Sequence, residues 1–320
     1  MKTTVVIPNY NGRNYLRDCL TSLLEGSVVP TIIVVDNGSD DESADMVKEA
    51  FPMVKLIPLP ENRGFSAAVN IGIHEAETEY IFLLNNDTVV LKDTIEELEA
   101  AMERHPNAFS VAAKMLQMKN PELIDSAGDF YCASGWAFAR GKDHRTEVFP
   151  KETPVFSACA GAALYRKAVF GKIGDFDENH FAYLEDIDMG YRANIYGYRS
   201  YYAPSSVVLH AGSGASGSRY NKFKVDLSSR NSIYLIYKNM PLLQVLLNLP
   251  FLVLGYSVKI LFFLKKGLGA DYIKGIGKGF KLSFSEKGRE HKVRFSWKHL
   301  GNYAVIQLQL WANMFRRLWW

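Results

Sequence analysis

Along the first hundred residues, short apolar runs alternate with stretches in which apolar positions recur every three to four residues, which predicts strands and helices in turn. The runs "TTVVIP" (3–8), "TIIVVD" (31–36), "VKLIPL" (54–59) and "EYIFLL" (79–84) read as strands. Helices are expected over "NYLRDCLTSLLEG" (14–26), over "DDESADMVKEAF" (40–51) with its acidic first turn, and from about Ser66 to Ala76. Strands that are apolar throughout and separated by helices imply an α/β fold, a mostly parallel sheet covered on both faces. The first apolar run reaches only from Val5 to Pro8, too short for a secretory signal core, so the fold is expected to begin at once.

From about Asn107 the rhythm loosens. "AFSVAAKMLQM" reads as a strand, "DSAGDFYCASGWAFARG" as loop or short strands, and "VFSACAGAALYRKAVF" as a strand turning into a helix. "SYYAPSSVVLHAGSGASGS" reads as a strand ending at His210, then a glycine and serine loop. Residues 242–264 form an apolar run long enough to cross a bilayer, interrupted by Gln244, Asn248, Pro250, Ser257 and Lys259. Those interruptions favour a helix pair lying in a membrane interface and hinged near Pro250, with a spanning helix and an ordinary core helix as alternatives. In "QLQLWANMFRRLWW", Leu308, Trp311, Phe315, Leu318 and Trp319 fall on one helical face. Tryptophan beside arginine suits a headgroup boundary, and a helix docked on the core is the alternative.

Charge sharpens this division. Residues 1–214 carry 19 Lys and Arg against 30 Asp and Glu, whereas residues 215–320 carry 18 against 4, so the net +3 conceals two opposed parts. A basic segment rich in Leu, Phe and Trp points to nucleic acid or to an anionic membrane surface. The chain is accordingly read as an α/β domain over 1–235 and a basic, amphipathic helical region over 236–320. Its three cysteines, Cys19, Cys132 and Cys159, form no CxxC pair and suggest neither a disulfide framework nor a zinc site, which fits a reducing, cytoplasmic setting.

Three expected strands end in polar clusters: Pro8-Asn9-Tyr10-Asn11, Asp36-Asn37-Gly38-Ser39-Asp40 and Asn85-Asn86-Asp87. One such end is an ordinary loop or helix cap; three on one edge mark a crevice where open parallel sheets bind ligands. Asp36 can accept from a heterocycle N–H, with Pro8 and Asn9 bracketing the ring, and Gly64 opens a helix whose N-terminus suits phosphate or ribose. There is no GxGxxG or GxxxxGK fingerprint. Asp87 can supply one oxygen to Mn²⁺ or Mg²⁺, with Asn85 a direct or water-mediated donor and His210 a nitrogen ligand. Glu185, Asp186 and Asp188 lie within four residues. On a helix Glu185 and Asp188 share a face, and a carboxylate turned to the crevice could deprotonate a hydroxyl; the alternative is an acidic first turn stabilised by the helix dipole.

"VVIPNYNGRNYLRDCLTSLL", "IIVVDNGSDDES", "ENRGFSAAVNIGI", "LLNNDTVV", "CAGAALYRK", "FDENHFAYLEDIDMGYRA" and "LHAGSGASGS" together resemble the family 2 glycosyltransferases with the GT-A fold, within them bacterial rhamnosyltransferase-like enzymes of surface-polysaccharide assembly; the likeness covers about residues 3–235. The resemblance implies inverting transfer from a nucleoside diphosphate sugar to an acceptor hydroxyl, with a divalent metal. Rhamnose from dTDP-rhamnose is the donor it suggests, with a UDP-sugar such as galactose, GlcNAc or galactofuranose as the alternative. By motif, Pro8, Asn9 and Asp36 would hold the base, and Asn11 would belong to the nucleotide-sugar site. Asn62, Gly64 and Asn70 would line the nucleoside and diphosphate pocket, with Asn85 and Asn86 beside it, and Gly161 and Ala162 would pack against the sugar. Asp87 and His210 would be the metal ligands, "NND" standing where DxD is usual. Asp186 would be the general base, with Glu185 second.

These implications describe an enzyme on the inner face of a bacterial cell membrane, elongating a polyprenyl-diphosphate-linked glycan, with residues 242–320 on anionic lipid and a homodimer left open. A sugar nucleotidyltransferase would instead show a basic glycine-rich signature after the first strand, which "PNYNGRN" is not. A non-catalytic glycan- or nucleic-acid-binding protein would leave Asp87, Asp186 and His210 without a purpose, and nucleic acid is not expected as a partner.

Overall fold

The computed structural model describes residues 2–212 and 220–319. The expected glycine and serine loop at 213–219 and the side chains of Leu318 and Trp319 lie outside the described residues.

The alternation is present through the first hundred residues as β1 (Thr3–Asn9), α1 (Arg13–Leu24), β2 (Thr31–Asp36), α2 (Ser43–Ala50), β3 (Lys55–Pro58), α3 (Phe65–Glu75) and β4 (Tyr80–Leu84). The four strands lie in the order β3-β2-β1-β4, all parallel. Each face of this sheet has its own core. Val5 and Ile7 of β1 join a buried cluster with Leu16 and Leu20 of α1, whereas Val6 between them joins one with Ala68 and Val69 of α3. A strand buried on both faces has no polar alternation, which is why these runs read as continuous apolar segments.

Next come β5 (Thr88–Val90), α4 (Thr94–Arg104), β6 (Ala108–Gln117), β7 (Asn120–Ser126), β8 (Asp129–Tyr131), β9 (Ala137–Ala139), β10 (Thr153–Val155), β11 (Ala162–Arg166), α5 (Lys167–Ile173), α6 (Glu185–Ile195) and β12 (Arg199–His210). Among the described residues the sheet has ten strands, in the order β10-β12-β6-β11-β4-β1-β2-β3 with β5 on β12 and β7 on β6. β8 and β9 make a separate hairpin. β11 runs antiparallel to both β4 and β6, β5 and β10 run antiparallel to β12, and β7 to β6, so beyond the first four strands the expected mostly parallel sheet is mixed. Parallel neighbours are usually joined by a helical crossover, and among the described residues no α-helix lies between β6 and β11, in keeping with their antiparallel pairing.

The chain ends in α7 (Lys222–Asn239), α8 (Leu242–Lys265), α9 (Gly269–Ser283), α10 (Glu286–Glu290) and α11 (Leu300–Trp319). The change of composition at 235/236 falls inside α7. α11 returns to the α/β layer, where Tyr303, Ile306 and Leu310 share a buried cluster with Tyr131 and Tyr191. Leu308 and Phe315 stay exposed on its other side. α9 lies close against α7: a β-carbon at Gly275 would sit 1.9 Å from Ser229 Oγ, and one at Gly279 2.5 Å from the Arg230 carbonyl oxygen.

α8 is one continuous helix through Pro250, which corrects the hinged pair expected from the sequence. Proline removes one backbone bond but has a helical φ. Gln244 and Asn248 before it and Leu252 and Gly255 after it are all buried against the protein, so the two halves are held on one line.

Candidate active site

β1 and β2 end in register, with Asn9 beside Asp36. The Asn9 side-chain N–H donates to Asp36 Oδ1 at 2.8 Å and to Ser43 Oγ at 2.8 Å, while its oxygen accepts from Asn86 Nδ2 at 2.7 Å. Asp36 also accepts from Ser39 Oγ at 2.6 Å. One buried network thus ties three strand ends together, and it uses the amide of Asn86 as a brace.

Above it opens a cleft of about 770 Å³. Pro8, Asn9, Asn62, Gly64, Asn85, Asn86, Asp87, Gly161, Glu185, Asp186 and His210 all line it. Four expected residues are placed elsewhere. Asp36 lies beneath Asn9, and Ala162 is buried in β11 opposite Leu84. Asn11, at φ 51°, accepts from the Asp40 N–H at 2.9 Å and so joins two loops outside the cleft. Asn70 spends its amide on the backbone of Phe176, donating at 2.8 Å and accepting at 3.0 Å, so it fastens α3 to the loop before α6 rather than facing a ligand. Gly64, at φ 87°, lets the chain enter α3 where a β-carbon would sit 2.6 Å from the Phe181 carbonyl oxygen.

The second wall is built by β5 and β12. Thr88 pairs with His210, which carries Asp87 to the end of β12. His210 Nε2 lies 3.3 Å from Asp87 Oδ1, and His210 Nδ1 lies 2.8 Å from Asp125 Oδ2. Asp125 is paired in turn with Lys142. Burial opposes charge on His210, but the hydrogen bonds to Asp125 and Asp87 outweigh it and raise its pKa to about 9. An imidazole fixed by a carboxylate on one nitrogen, with the other nitrogen beside a second carboxylate, is the donor set that orients a histidine toward a divalent ion. Asp87 and His210 fit Mn²⁺ or Mg²⁺ with the ion in place of the Nε2 proton, while Asp125 keeps hold of Nδ1. The Asn85 side-chain amide makes no hydrogen bond among the described residues, which leaves its oxygen open to the same space.

The third wall carries the carboxyl pair. Phe181, Tyr183 and Leu184 have φ of 62°, 71° and 69°, a left-handed run that turns the chain into α6 so that Glu185 and Asp186 both meet the cleft. α7 holds this run from behind. Asn231 Nδ2 donates to the carbonyls of His180, Ala182 and Tyr183 at 2.8, 2.8 and 2.7 Å, and Arg230 donates to those of Asn179 and His180. Asp188 does not share a face with Glu185 as expected on an ideal helix. It turns inward to Arg192 at 2.7 Å and Lys238 at 2.9 Å. Burial pushes Asp188 up, but Arg192 and Lys238 outweigh it and hold it well below the usual carboxylate range.

Burial raises Glu185 to about 8 and Asp186 to about 6; backbone N–H donation, from Ile187 at 2.7 Å among others, limits the rise at Asp186. Backbone donation thus makes Asp186 the more readily ionised of the two, and so the better proton acceptor. Beside it sits Asp129, a residue absent from the sequence reading. Potential donor atoms of Asp129, Cys159 and Asp186 lie within 4.8 Å of one another, and burial, then the Asp186 charge, raise Asp129 well above its ordinary value. A protonated Asp129 can thus donate to Asp186. Asp129 and Asp125 share the segment "DSAGD", whose two carboxylates four residues apart were a signal hidden by a loop reading.

Known proteins place the chain in a family. The model of "Glycosyl transferase family 2" matches residues 4–174. The chain is 30% identical over 241 residues to "N-acetylglucosaminyl-diphospho-decaprenol L-rhamnosyltransferase" of Mycobacterium tuberculosis, covering 67% of this chain and 77% of that protein. It is 31% identical over 127 residues to "Putative teichuronic acid biosynthesis glycosyltransferase TuaG" of Bacillus subtilis, covering 38% of this chain and 50% of that one. Among solved structures, mannosyltransferase PcManGT from Pyrobaculum calidifontis, in complex with GDP-Man and Mn²⁺, matches with a TM-score of 0.55 at 15% identity over 99% of this chain and 87% of that one. GalNAc-T7 with UDP, GalNAc and Mn²⁺ gives 0.61 at 16% identity over 74% of this chain and 48% of that chain. The GT-A likeness expected from the motifs holds, and the chain belongs to glycosyl transferase family 2.

Proposed function

We propose that the protein transfers a sugar from a nucleoside diphosphate sugar to a hydroxyl of a polyprenyl-diphosphate-linked glycan, with inversion and with a divalent metal. The observation that carries this reading is the meeting in one cleft of Asp87 and His210 with Asp186 and Glu185, from three separate segments. In the reaction, Asp186 takes the proton of the acceptor hydroxyl as its oxygen attacks the anomeric carbon. The bond from that carbon to the diphosphate oxygen breaks, and the electron pair leaves with the diphosphate. A single displacement inverts the centre, and no covalent enzyme intermediate is required. Mn²⁺ or Mg²⁺ held by Asp87 and His210 would offset the charge growing on the diphosphate.

The donor proposed is dTDP-rhamnose, supported by the relative that is a rhamnosyltransferase by name. The same relative's name supports a lipid-linked acceptor, and with such an acceptor the proposed place of work is the inner face of the cell membrane. Thermal protection by dTDP-rhamnose against a set of UDP-sugars, with and without Mn²⁺, tests the donor: protection by UDP-sugars alone would replace it. For the base, Asp186→Asn should keep nucleotide binding by calorimetry and lose transfer on the order of a thousandfold. Near-normal transfer in that variant would reject Asp186.

A further inference from the structure

We infer that α8 is a membrane-seating helix which lies in the plane of an anionic bilayer and presents the cleft to acceptors held in that bilayer; this rests on the proposed lipid-linked acceptor. The helix is inside out. Its protein-facing side holds Gln244, Asn248, Leu252 and Gly255, of which Asn248 exchanges hydrogen bonds with Gln307 at 2.8 and 2.9 Å and accepts from Trp311 at 3.1 Å. Its solvent side holds Leu242, Leu243, Leu246, Leu247, Leu249, Val253, Leu254, Val258, Leu261 and Leu264, from 44% to 74% exposed. A helix of a water-soluble surface has the reverse polarity. An apolar face of this length, broken by Ser257 but with Gln244 and Asn248 spent inward, marks an interaction surface.

Charge identifies the occupant. Residues 256–300 carry eleven Lys and Arg against three Asp and Glu, and Lys265, Lys266, Lys274, Lys281 and Lys287 are exposed alongside Ile273, Phe280 and Phe284. Apolar residues bordered by lysine complement anionic lipid, apolar face to acyl chains and ammonium groups to phosphates. A second copy of this chain would bring the same positive charges together. The inward contacts also exclude a span: α11 and the α/β layer are fixed to one side of α8 along its first four turns and could not follow it into hydrocarbon. The seat adjoins the chemistry through the β8–β9 hairpin. Trp136 Nε1 donates to the Gly255 carbonyl at 3.2 Å, and Ala137, Phe138 and Ala139 of the same hairpin line the cleft. An acceptor whose lipid tail lies in the bilayer can bring its sugar to Asp186 along that edge.

The full chain is tested for flotation with phosphatidylcholine vesicles, with and without phosphatidylglycerol, beside the variant Leu246→Gln, Leu254→Gln, Leu261→Gln. The expected result is binding to the anionic vesicles, release by alkaline carbonate, and a fall of about a hundredfold or more in partitioning for the variant. The variant should keep its nucleotide affinity, which shows it is folded, and its transfer to a short water-soluble acceptor, while losing transfer to a vesicle-borne one. No flotation of the parent, equal flotation of the variant, resistance to carbonate, or dimers in place of vesicle binding would each overturn the inference. Flotation without transfer to either acceptor would instead defeat the proposed function and leave the seat standing.

Discussion

At the scale of single residues, the cleft depends on side chains that touch no substrate. Asp125 fixes His210 from the far side of the ring, so Asp125→Asn should weaken Mn²⁺ binding by about tenfold to a hundredfold, measured by calorimetry on the protein without nucleotide. Unchanged Mn²⁺ affinity would make Asp125 a structural partner of Lys142 only. Asp129 acts on the base. Because a hydrogen bond from a protonated Asp129 would lower the Asp186 pKa, Asp129→Ala should move the acidic limb of the kcat/KM profile to higher pH, whereas Asp129→Asn, which keeps an N–H donor, should leave it near its original place. The sign follows from the role: a base works when deprotonated, so activity rises through a pKa of about 6 and the rise comes later without the donor.

At the scale of elements, α6 and α7 are joined by a buried charge cluster. Lys238 meets Asp177 at 2.8 Å and Asp188 at 2.9 Å, and Asn239 donates to Asp188 at 2.8 Å. Lys238→Ala should destabilise the fold by about 3–5 kcal/mol, because it leaves Asp177 without the ammonium that pairs it inside the protein. Urea unfolding at neutral pH measures this, and a loss under about 1 kcal/mol would show that water or rearrangement replaces the ion pair. The strained run at 181–184 belongs to the same assembly. Left-handed φ at three non-glycine residues costs of order 1–3 kcal/mol each, and Arg230 and Asn231 hold it in place.

At the scale of the whole molecule, β1, β2 and β4 were legible because Val, Ile and Leu repeat in runs typical of a doubly covered strand, and the half-exposed edge strand β3 by its alternation with the helices. The strand-end residues were legible for the same reason, since β1 and β2 stop in register at Asn9 and Asp36, and β4 stops at Leu84 just before Asn85 and Asn86. Less of the second wall could be read. His210 and Asp87 were singled out, but Asp125 and Asp129 act only after β7 and the β8–β9 hairpin fold back, a long-range event with no local period. Asn70 and Asn11 carry polar side chains in the right motifs yet spend them on backbone, a choice set by packing that composition does not display. The polarity of α8 was misread for a related reason: Gln244 and Asn248 looked like interruptions of an apolar helix, and they prove to be its points of attachment.

α7 links these scales. Its Asn231 holds the carbonyls that precede Glu185 and Asp186, and its Ser229 and Arg230 form the bed on which Gly275 and Gly279 of α9 rest. The base and the C-terminal helices are thus mounted on opposite sides of one rigid rod. Any roll of that rod moves the proton acceptor by about as much as it moves the basic helices, so the precision of proton transfer is inherited from how firmly the back of the molecule is held.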